Sequence, residues 1–187
     1  LVSDQPERRT SHDPDSKFWN WADKIGVSSS RFPASEKPKV DNNHVAMAVN
    51  LDACINCNLC VRACREVQVN DVIGMAYRGN AAKISFDFDD PMGESTCVAC
   101  GECVQACPTG ALMEARLLDN NGRRIVYADR TVDTLCPFCG VGCQTTVHIK
   151  DDKIVKVDGR TGPANENRLC VKGRFGFDYI NHQGRLT

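Results

Sequence analysis

Twelve cysteines stand in the chain in three groups of four. Cys54, Cys57, Cys60 and Cys64 lie in CINCNLCVRAC, and Cys97, Cys100, Cys103 and Cys107 lie in CVACGECVQACP. Cys136, Cys139 and Cys143 lie in CPFCGVGCQ, and Cys170 follows in RLCVKGR. Cysteines in such numbers could form disulfides, bind zinc or bind iron-sulfur clusters, and their spacing separates the three. Zinc favours two paired C-x2-C knuckles that close one tetrahedron, which leaves the third cysteine of the first two series without a role. Cysteines three apart on a tight loop seldom meet disulfide geometry, and a chain without a leader belongs in a reducing compartment. Iron-sulfur ligation is the chemistry that uses every thiol.

The first two groups both read C-x2-C-x2-C-x3-C, and the second adds Pro108. This is the spacing of bacterial two-cluster ferredoxins, in which the fourth cysteine of each run serves the other cluster. Each loop wraps three thiolates around one cubane, and the helix that follows carries the fourth cysteine away. The expected ligand sets are therefore crossed: Cys54, Cys57, Cys60 and Cys107 for one cluster, and Cys97, Cys100, Cys103 and Cys64 for the other. Arg65 stands where proline is expected after Cys64; that proline shapes the chain's exit and binds nothing.

The third group reads C-x2-C-x3-C, then Cys170 after 26 intervening residues. Gly140 and Gly142 let the backbone approach a cluster closely, and amides freed by the turn can hydrogen-bond its sulfurs. Between these ligands, TTVHIKDDKIVKVDG predicts a hairpin, with Val147 and Ile149 before a DDK turn and Ile154, Val155 and Val157 after it. A small β-subdomain would thus return Cys170 to the cluster. In the linker between the first two groups, KISFDFDD alternates as a short strand would, with turns at GNAAK and DDPMGES. DSKFWNWADKIG predicts a short helix capped by Asp15 or Ser16 and stopped by Gly26. Its aromatics are expected to pack on a domain outside this sequence. IVYA, after the turn DNNGRR, is expected to be a strand, and Arg123 and Arg124 to be solvated turn residues.

The bulk composition sets wider limits. A chain of 187 residues with 42% hydrophobic content suits one or two domains of a soluble protein. Formal net charge is −1 without a long single-sign block, which argues against nucleic acid or an anionic membrane as partner. No run approaches the ~18 apolar residues of a membrane span, and LVSDQPERRTSHD lacks the apolar core of a secretory signal. A cytoplasmic location is expected. The sequence begins with leucine and ends at GRLT, so it is expected to be an excerpt of a longer polypeptide.

CPFCGVGCQ, followed by DDKIVKVDGR and RLCVKGRFGFDYINH, resembles the N-terminal cluster domain of the molybdenum or tungsten bis-pterin oxidoreductases. Within them the sequence is most similar to catalytic α subunits of NAD-dependent formate dehydrogenases, because the two ferredoxin-like groups lie directly upstream. The resemblance spans residues 54–187. More weakly, ADKIGVSSSRFP resembles the segment that follows a still earlier, partly histidine-ligated cluster and a 2Fe-2S domain.

The resemblance implies an α+β fold: a two-cluster ferredoxin-like module followed by a small β-rich 4Fe-4S domain. The expected divisions are 1–44 as a link from a preceding domain, 45–130 as the two-cluster domain, and 131–187 as the start of the catalytic region. It implies three 4Fe-4S clusters and a neighbouring Mo or W bis-(molybdopterin guanine dinucleotide), bound mainly by the remainder of the same polypeptide. Electrons from formate would pass through the three clusters to a diaphorase partner carrying FMN and NAD. No residue in this stretch is expected to bind formate.

Lys172, two residues after Cys170, matches the family lysine that lies between cluster and pterin. A loop lysine is otherwise an ordinary solvated charge. His12, His44, His148 and His182 lack paired ligand spacing and read as structural or surface residues, with His12 also open to serving an upstream cluster. The competing readings are an autonomous polyferredoxin carrier, another bis-pterin enzyme, and the large iron-sulfur subunit of a respiratory NADH dehydrogenase. The loop around Cys170 argues against the polyferredoxin, since it looks like an interface for a large cofactor domain.

Overall fold

The computed structural model describes residues 1–34, 36 and 38–186. Ser16 caps the first helix, α1 (Lys17–Lys24), by accepting from the Trp19 amide at 3.5 Å, and Gly26 ends it with φ +69°. Trp19 and Ala22 share one face at helical spacing, and that face is buried. The Phe18 amide donates to the Pro108 carbonyl at 2.9 Å, so α1 lies on the end of the second cysteine motif. The expectation for its aromatics is corrected at Trp19, which is buried within this fold, while Trp21 is exposed beneath the Lys24 ammonium.

Four short strands follow: β1 (Met47–Val49), β2 (Ile73–Ala76), β3 (Lys83–Phe86) and β4 (Leu112–Glu114). β1 pairs antiparallel with β4, and β2 with β3. Two short helices interleave with them. α2 (Leu59–Arg62) runs into a wider π turn over Ala63–Val67, and α3 (Glu102–Ala106) ends at Cys107. Met47, Val49, Val72, Ile73, Ile84, Phe86 and Leu112 form one core with Cys60, Cys64 and Cys103. Cys60, Cys64 and Cys103 are thus part of the apolar interior, while Cys57 at the first loop is exposed. Of KISFDFDD only Lys83–Phe86 is strand; Asp87 and Asp89 take left-handed φ of 45° and 74° and turn the chain.

The remaining strands form a separate sheet in the order β5 (Arg130–Leu135), β6 (Gln144–Lys150) and β7 (Lys153–Gly159), all antiparallel. Asp151 and Asp152 join β6 to β7, both with positive φ, 49° and 58°. Two such residues match the right-handed twist of a hairpin. Val157, Leu169 and Phe177 make a second, smaller core, packed by Cys143 and Val147. α4 (Val171–Phe175) closes this part.

Two expectations are corrected here. IVYA is not a strand: the Ile125 and Val126 amides both donate to the Leu117 carbonyl, so their donors serve a turn, and the strand begins at Arg130. Arg124 is not simply solvated: it pairs with Asp13 at 3.4 Å and lies over the Tyr127 ring. No helix among the described residues is long and apolar enough to cross a membrane. The architecture is a mixture of short helices and small sheets.

Candidate metal centres

The two ferredoxin-type loops share an unusual backbone. Asn56 and Asn58 follow Cys54 by two and four residues with φ of 53° and 64°; Ala99 and Gly101 follow Cys97 at the same offsets with φ of 54° and 75°. Asparagine and glycine adopt this region readily, whereas alanine is strained there. The turns point amides inward: Asn56 N lies 3.4 Å from Cys54 Sγ, and Ala99 N lies 3.4 Å from Cys97 Sγ. Val72 N adds a donor at 3.3 Å from Cys64 Sγ. Hydrogen bonds of this kind favour a thiolate over a thiol.

The thiols gather across the two motifs. One cavity is lined by Cys54, Cys57 and Cys60 together with Cys107 from the second motif, and closed by Ile84 and Leu112. Burial, with the charges that Cys107, Cys54 and Cys57 would place beside it, pushes the Cys60 thiol up to about 12. For Cys103, burial and the charges of Cys100, Cys97, Cys60 and Cys64 push the thiol well above its ordinary value. Cys97 and Cys100 are raised too, first by burial, with Cys64 among the charges that act on each. The physical origin is the helix in each motif, which carries the fourth cysteine out of its own loop.

The third group forms on the second sheet. Cys136 N donates to the Cys143 carbonyl at 2.8 Å, which closes the loop between β5 and β6, and Gly142 adopts φ +66° within it. Cys170 is the N-cap of α4. Burial raises the Cys143 thiol, and Cys136, Cys139 and Cys170 add to the shift. Phe138 from this loop stacks edge-on with Tyr179 at 5.8 Å. Its ring also fills the space beside Gly176, where a Cβ would meet Phe138 Cζ at 2.7 Å. Cys139 and Cys170 are exposed, so this group lies nearer the surface than the pair of groups in the main core.

Polar side chains join the two parts close to these thiols. Gln68, beyond the helix that carries Cys64, donates to the Leu169 carbonyl at 2.9 Å, next to Cys170. Gln105 on α3 donates to the Asn167 carbonyl at 3.1 Å and accepts from the Gly159 amide at 3.1 Å. Arg116 pairs with Asp178 at 2.8 Å. Arg174 on α4 is fully enclosed and pairs with Glu102 at 2.6 Å. Burial pushes the Glu102 carboxyl up against the pull of Arg174. Asp158 also faces Arg174; burial opposes its charge, but hydrogen bonds from His148 and Lys156 hold it well below the ordinary carboxylate range.

The donor set fits iron-sulfur clusters. Thiols that raise one another's pKa ionise together only when positive charge is placed among them, and bound iron supplies it. A single zinc requires its thiolates at about 2.3 Å from one point. Among the described residues no three His, Cys, Asp or Glu side chains converge closely enough to hold one such ion. Thiolates bound to separate irons of a cubane lie farther apart than the ligands of one ion.

The other residues singled out in the sequence have definite places. Lys172 lies exposed on α4, two residues beyond Cys170. His12 is buried against Asp52 and the Gly122 carbonyl; His44 Nδ1 accepts from the Ala46 and Met47 amides; His148 contacts Asp158; His182 is exposed. Sequence reasoning missed Arg174, Glu102 and Glu114. Arg174 and Glu102 each lie within four residues of a cysteine and carry opposite charge, which is the signal that could have paired them.

Residues 53–111 match the family model described as a 4Fe-4S dicluster domain, and residues 129–182 match the one described as the Molybdopterin oxidoreductase Fe4S4 domain. The chain is 29% identical over 209 residues to a Staphylococcus haemolyticus protein named "Putative formate dehydrogenase", an alignment that covers 92% of this chain and 21% of that one. It is 30% identical over 205 residues to "Probable oxidoreductase YjgC" of Bacillus subtilis, covering 90% of this chain and 21% of the relative. The chain therefore spans about a fifth of the length of these relatives. A chain from the crystal structure of an NAD+-reducing NiFe hydrogenase in the H2-reduced state matches 55% of this chain and 47% of its own length, with 23% identity and a TM-score of 0.49.

Proposed function

We propose that this chain is the electron-relay part of a formate dehydrogenase catalytic subunit of the bis-pterin class. Cys54, Cys57, Cys60 and Cys107 hold one 4Fe-4S cluster, Cys97, Cys100, Cys103 and Cys64 a second, and Cys136, Cys139, Cys143 and Cys170 a third. Each cluster, when bound, accepts and releases one electron at a time. The chain's own residues fix the three sites relative to one another, bury Cys60, Cys64 and Cys103 and donate amides to the sulfurs. Residues 45–130 serve as the two-cluster domain, with 1–44 held against it, and 131–187 begin the catalytic region. Formate is oxidised at a Mo or W bis-pterin centre held by further sequence of the same polypeptide, and Lys172 faces that centre. Electrons leave through a diaphorase subunit with FMN and NAD in the cytoplasm.

The observation that carries this reading is that Cys107 of the second motif lines one cavity with Cys54, Cys57 and Cys60 of the first. The two family matches and the formate dehydrogenase names of relatives support the enzyme class. Anaerobic reconstitution of the purified chain with iron and sulfide is the test. About twelve iron atoms per chain are expected, four for each four-cysteine site, with no formate-dependent dye reduction by the chain alone. Stoichiometric zinc without sulfide would overturn the relay. Formate oxidation by the reconstituted chain would overturn the placement of the substrate site.

A further inference from the structure

Arg174 is 0% exposed, and each of its polar groups reaches a partner outside α4. Nε donates to the Cys100 carbonyl at 2.8 Å, and Nη2 to Glu102 Oε1 at 2.6 Å. Nη1 reaches the Val157 carbonyl at 3.4 Å and Asp158 Oδ1 at 3.5 Å. Its own amide donates to the Cys170 carbonyl at 3.1 Å. One side chain therefore ties the turn that begins at a thiol of the third site to the backbone of a thiol in the second. Gly101 makes this approach possible, because a Cβ there would lie 2.1 Å from Arg174 Cδ, and its φ of +75° also suits glycine. The Gln68 contact to Leu169 binds the same two sites from the Cys64 side.

A guanidinium suits this place better than an ammonium. Its planar fork satisfies a carbonyl and a carboxylate at once, and it stays charged when buried. Glu102 and Asp158 balance that charge, and hydrogen bonds to both keep the buried ions from being left unpaired.

We propose that Arg174 is the positioning residue of the relay: it seats the Cys136/Cys139/Cys143/Cys170 site on the Cys97/Cys100/Cys103/Cys64 site and so makes those two the directly communicating pair. This rests on the relay reading above. One electron leaves the third site and one arrives at the second, with no bond or proton moved; the electron comes from the oxidation of formate or, in the test, from dithionite. The Cys54 site then lies one step farther along the path.

The test uses the full catalytic polypeptide with its clusters and metal centre. Removing Arg174 alone would leave Glu102 buried without its counter-charge and invite unfolding, so the principal variant is the double substitution Arg174→Met with Glu102→Gln. Iron and sulfide content is measured first, then the magnetic splitting between clusters in the dithionite-reduced protein, then rapid-freeze kinetics after formate addition. The double variant is expected to keep full iron and sulfide, lose the splitting between the second and third sites, and pass electrons between them about tenfold more slowly, equivalent to about 1.4 kcal/mol of barrier. Arg174→Lys is expected to recover only part of the splitting, because one ammonium cannot span both the Cys100 carbonyl and Glu102. Full clusters with unchanged splitting and rate would overturn the role of Arg174. Loss of iron from either site would overturn it also, by making Arg174 an assembly residue. A wild-type protein without iron and sulfide would instead overturn the relay itself.

Discussion

Glu114 stands directly opposite Met47 in the β1–β4 ladder, fully buried, with neither carboxyl oxygen hydrogen-bonded among the described residues. Side chains paired across an antiparallel ladder share a face, so an ionisable group points the same way as an apolar core residue. Burial pushes its carboxyl from 4.5 up to about 7; Lys156 pulls it down, Asp158 adds to the rise, and Arg174 and Arg116 pull it down further.

A pH-dependent stability follows from that shift. Between the unfolded and folded values the native chain holds a proton that the unfolded chain releases, so stability falls as pH rises through this window and levels off above about 7. Between about pH 5.5 and about pH 8 the loss from this group is about 2 kcal/mol. Glu114→Gln mimics the protonated acid and is expected to remove that part of the slope. Urea unfolding of both proteins at the two pH values is the measurement, and equal slopes would remove Glu114 as its source.

His12 supplies a second pH-dependent contact, of different geometry. Nδ1 faces the Gly122 carbonyl at 2.7 Å and Nε2 faces Asp52 Oδ1 at 2.8 Å. Both partners can only accept, so both ring nitrogens must donate, which requires the imidazolium. Burial lowers the histidine pKa, but the Asp52 hydrogen bond, the Gly122 carbonyl and the Asp52 charge outweigh it and leave it raised. This stabilisation is complete below the unfolded value of 6.5 and is lost as pH rises through the higher folded value. His12→Ala is expected to cost about 2 kcal/mol at low pH, the scale of hydrogen bonds to a charged group. The penalty should shrink in alkaline buffer, and one that is constant with pH would show a neutral ring.

The grouping of the cysteines was legible because they recur at fixed spacing, and the hairpin around Asp151 and Asp152 because its turn residues and flanking Val147 and Val157 carry their own signal. β5 was not legible. All six of its residues are exposed, so no buried face imprints an alternation on RTVDTL, and its register comes from pairing with β6. Arg174, Glu102 and Glu114 were hidden for the converse reason. Charged residues are usually solvated, and only tertiary packing places these three inside, where two pair at the seam and one has no hydrogen-bond partner among the described residues.

Cys64 tests the crossing of ligands between motifs. It sits on the helix that leaves the first loop, and its charge acts on Cys97, Cys100 and Cys103. Cys64→Ser should therefore disturb the cluster of the second loop and leave that of Cys54, Cys57 and Cys60 intact. Electron paramagnetic resonance of the reduced protein, with matched iron analysis, distinguishes the two. Selective loss of the first-loop signal would mean that each loop keeps its own four cysteines.

Lys172 lies on the exposed side of α4, opposite in burial to Arg174 two residues farther on. The same short helix thus presents one cation inward to the second site and one outward beside Cys170. An ammonium there can donate to a pterin nitrogen or oxygen and offset the negative charge of a thiolate-bound cluster. Lys172→Met keeps most of the length, removes the charge and leaves the helix intact, so clusters and pterin should remain bound. Loss of one charge-assisted hydrogen bond is worth about 1.5 to 3 kcal/mol, which corresponds to roughly ten- to hundredfold slower transfer if most of it is felt in that step. The expected result is slow formate-driven reduction of the Cys136 to Cys170 cluster in the full enzyme, measured by rapid freezing. Its potential should also fall, because removing a nearby cation disfavours the added electron. An unchanged rate and potential with full metal content would leave Lys172 as a solvated surface charge.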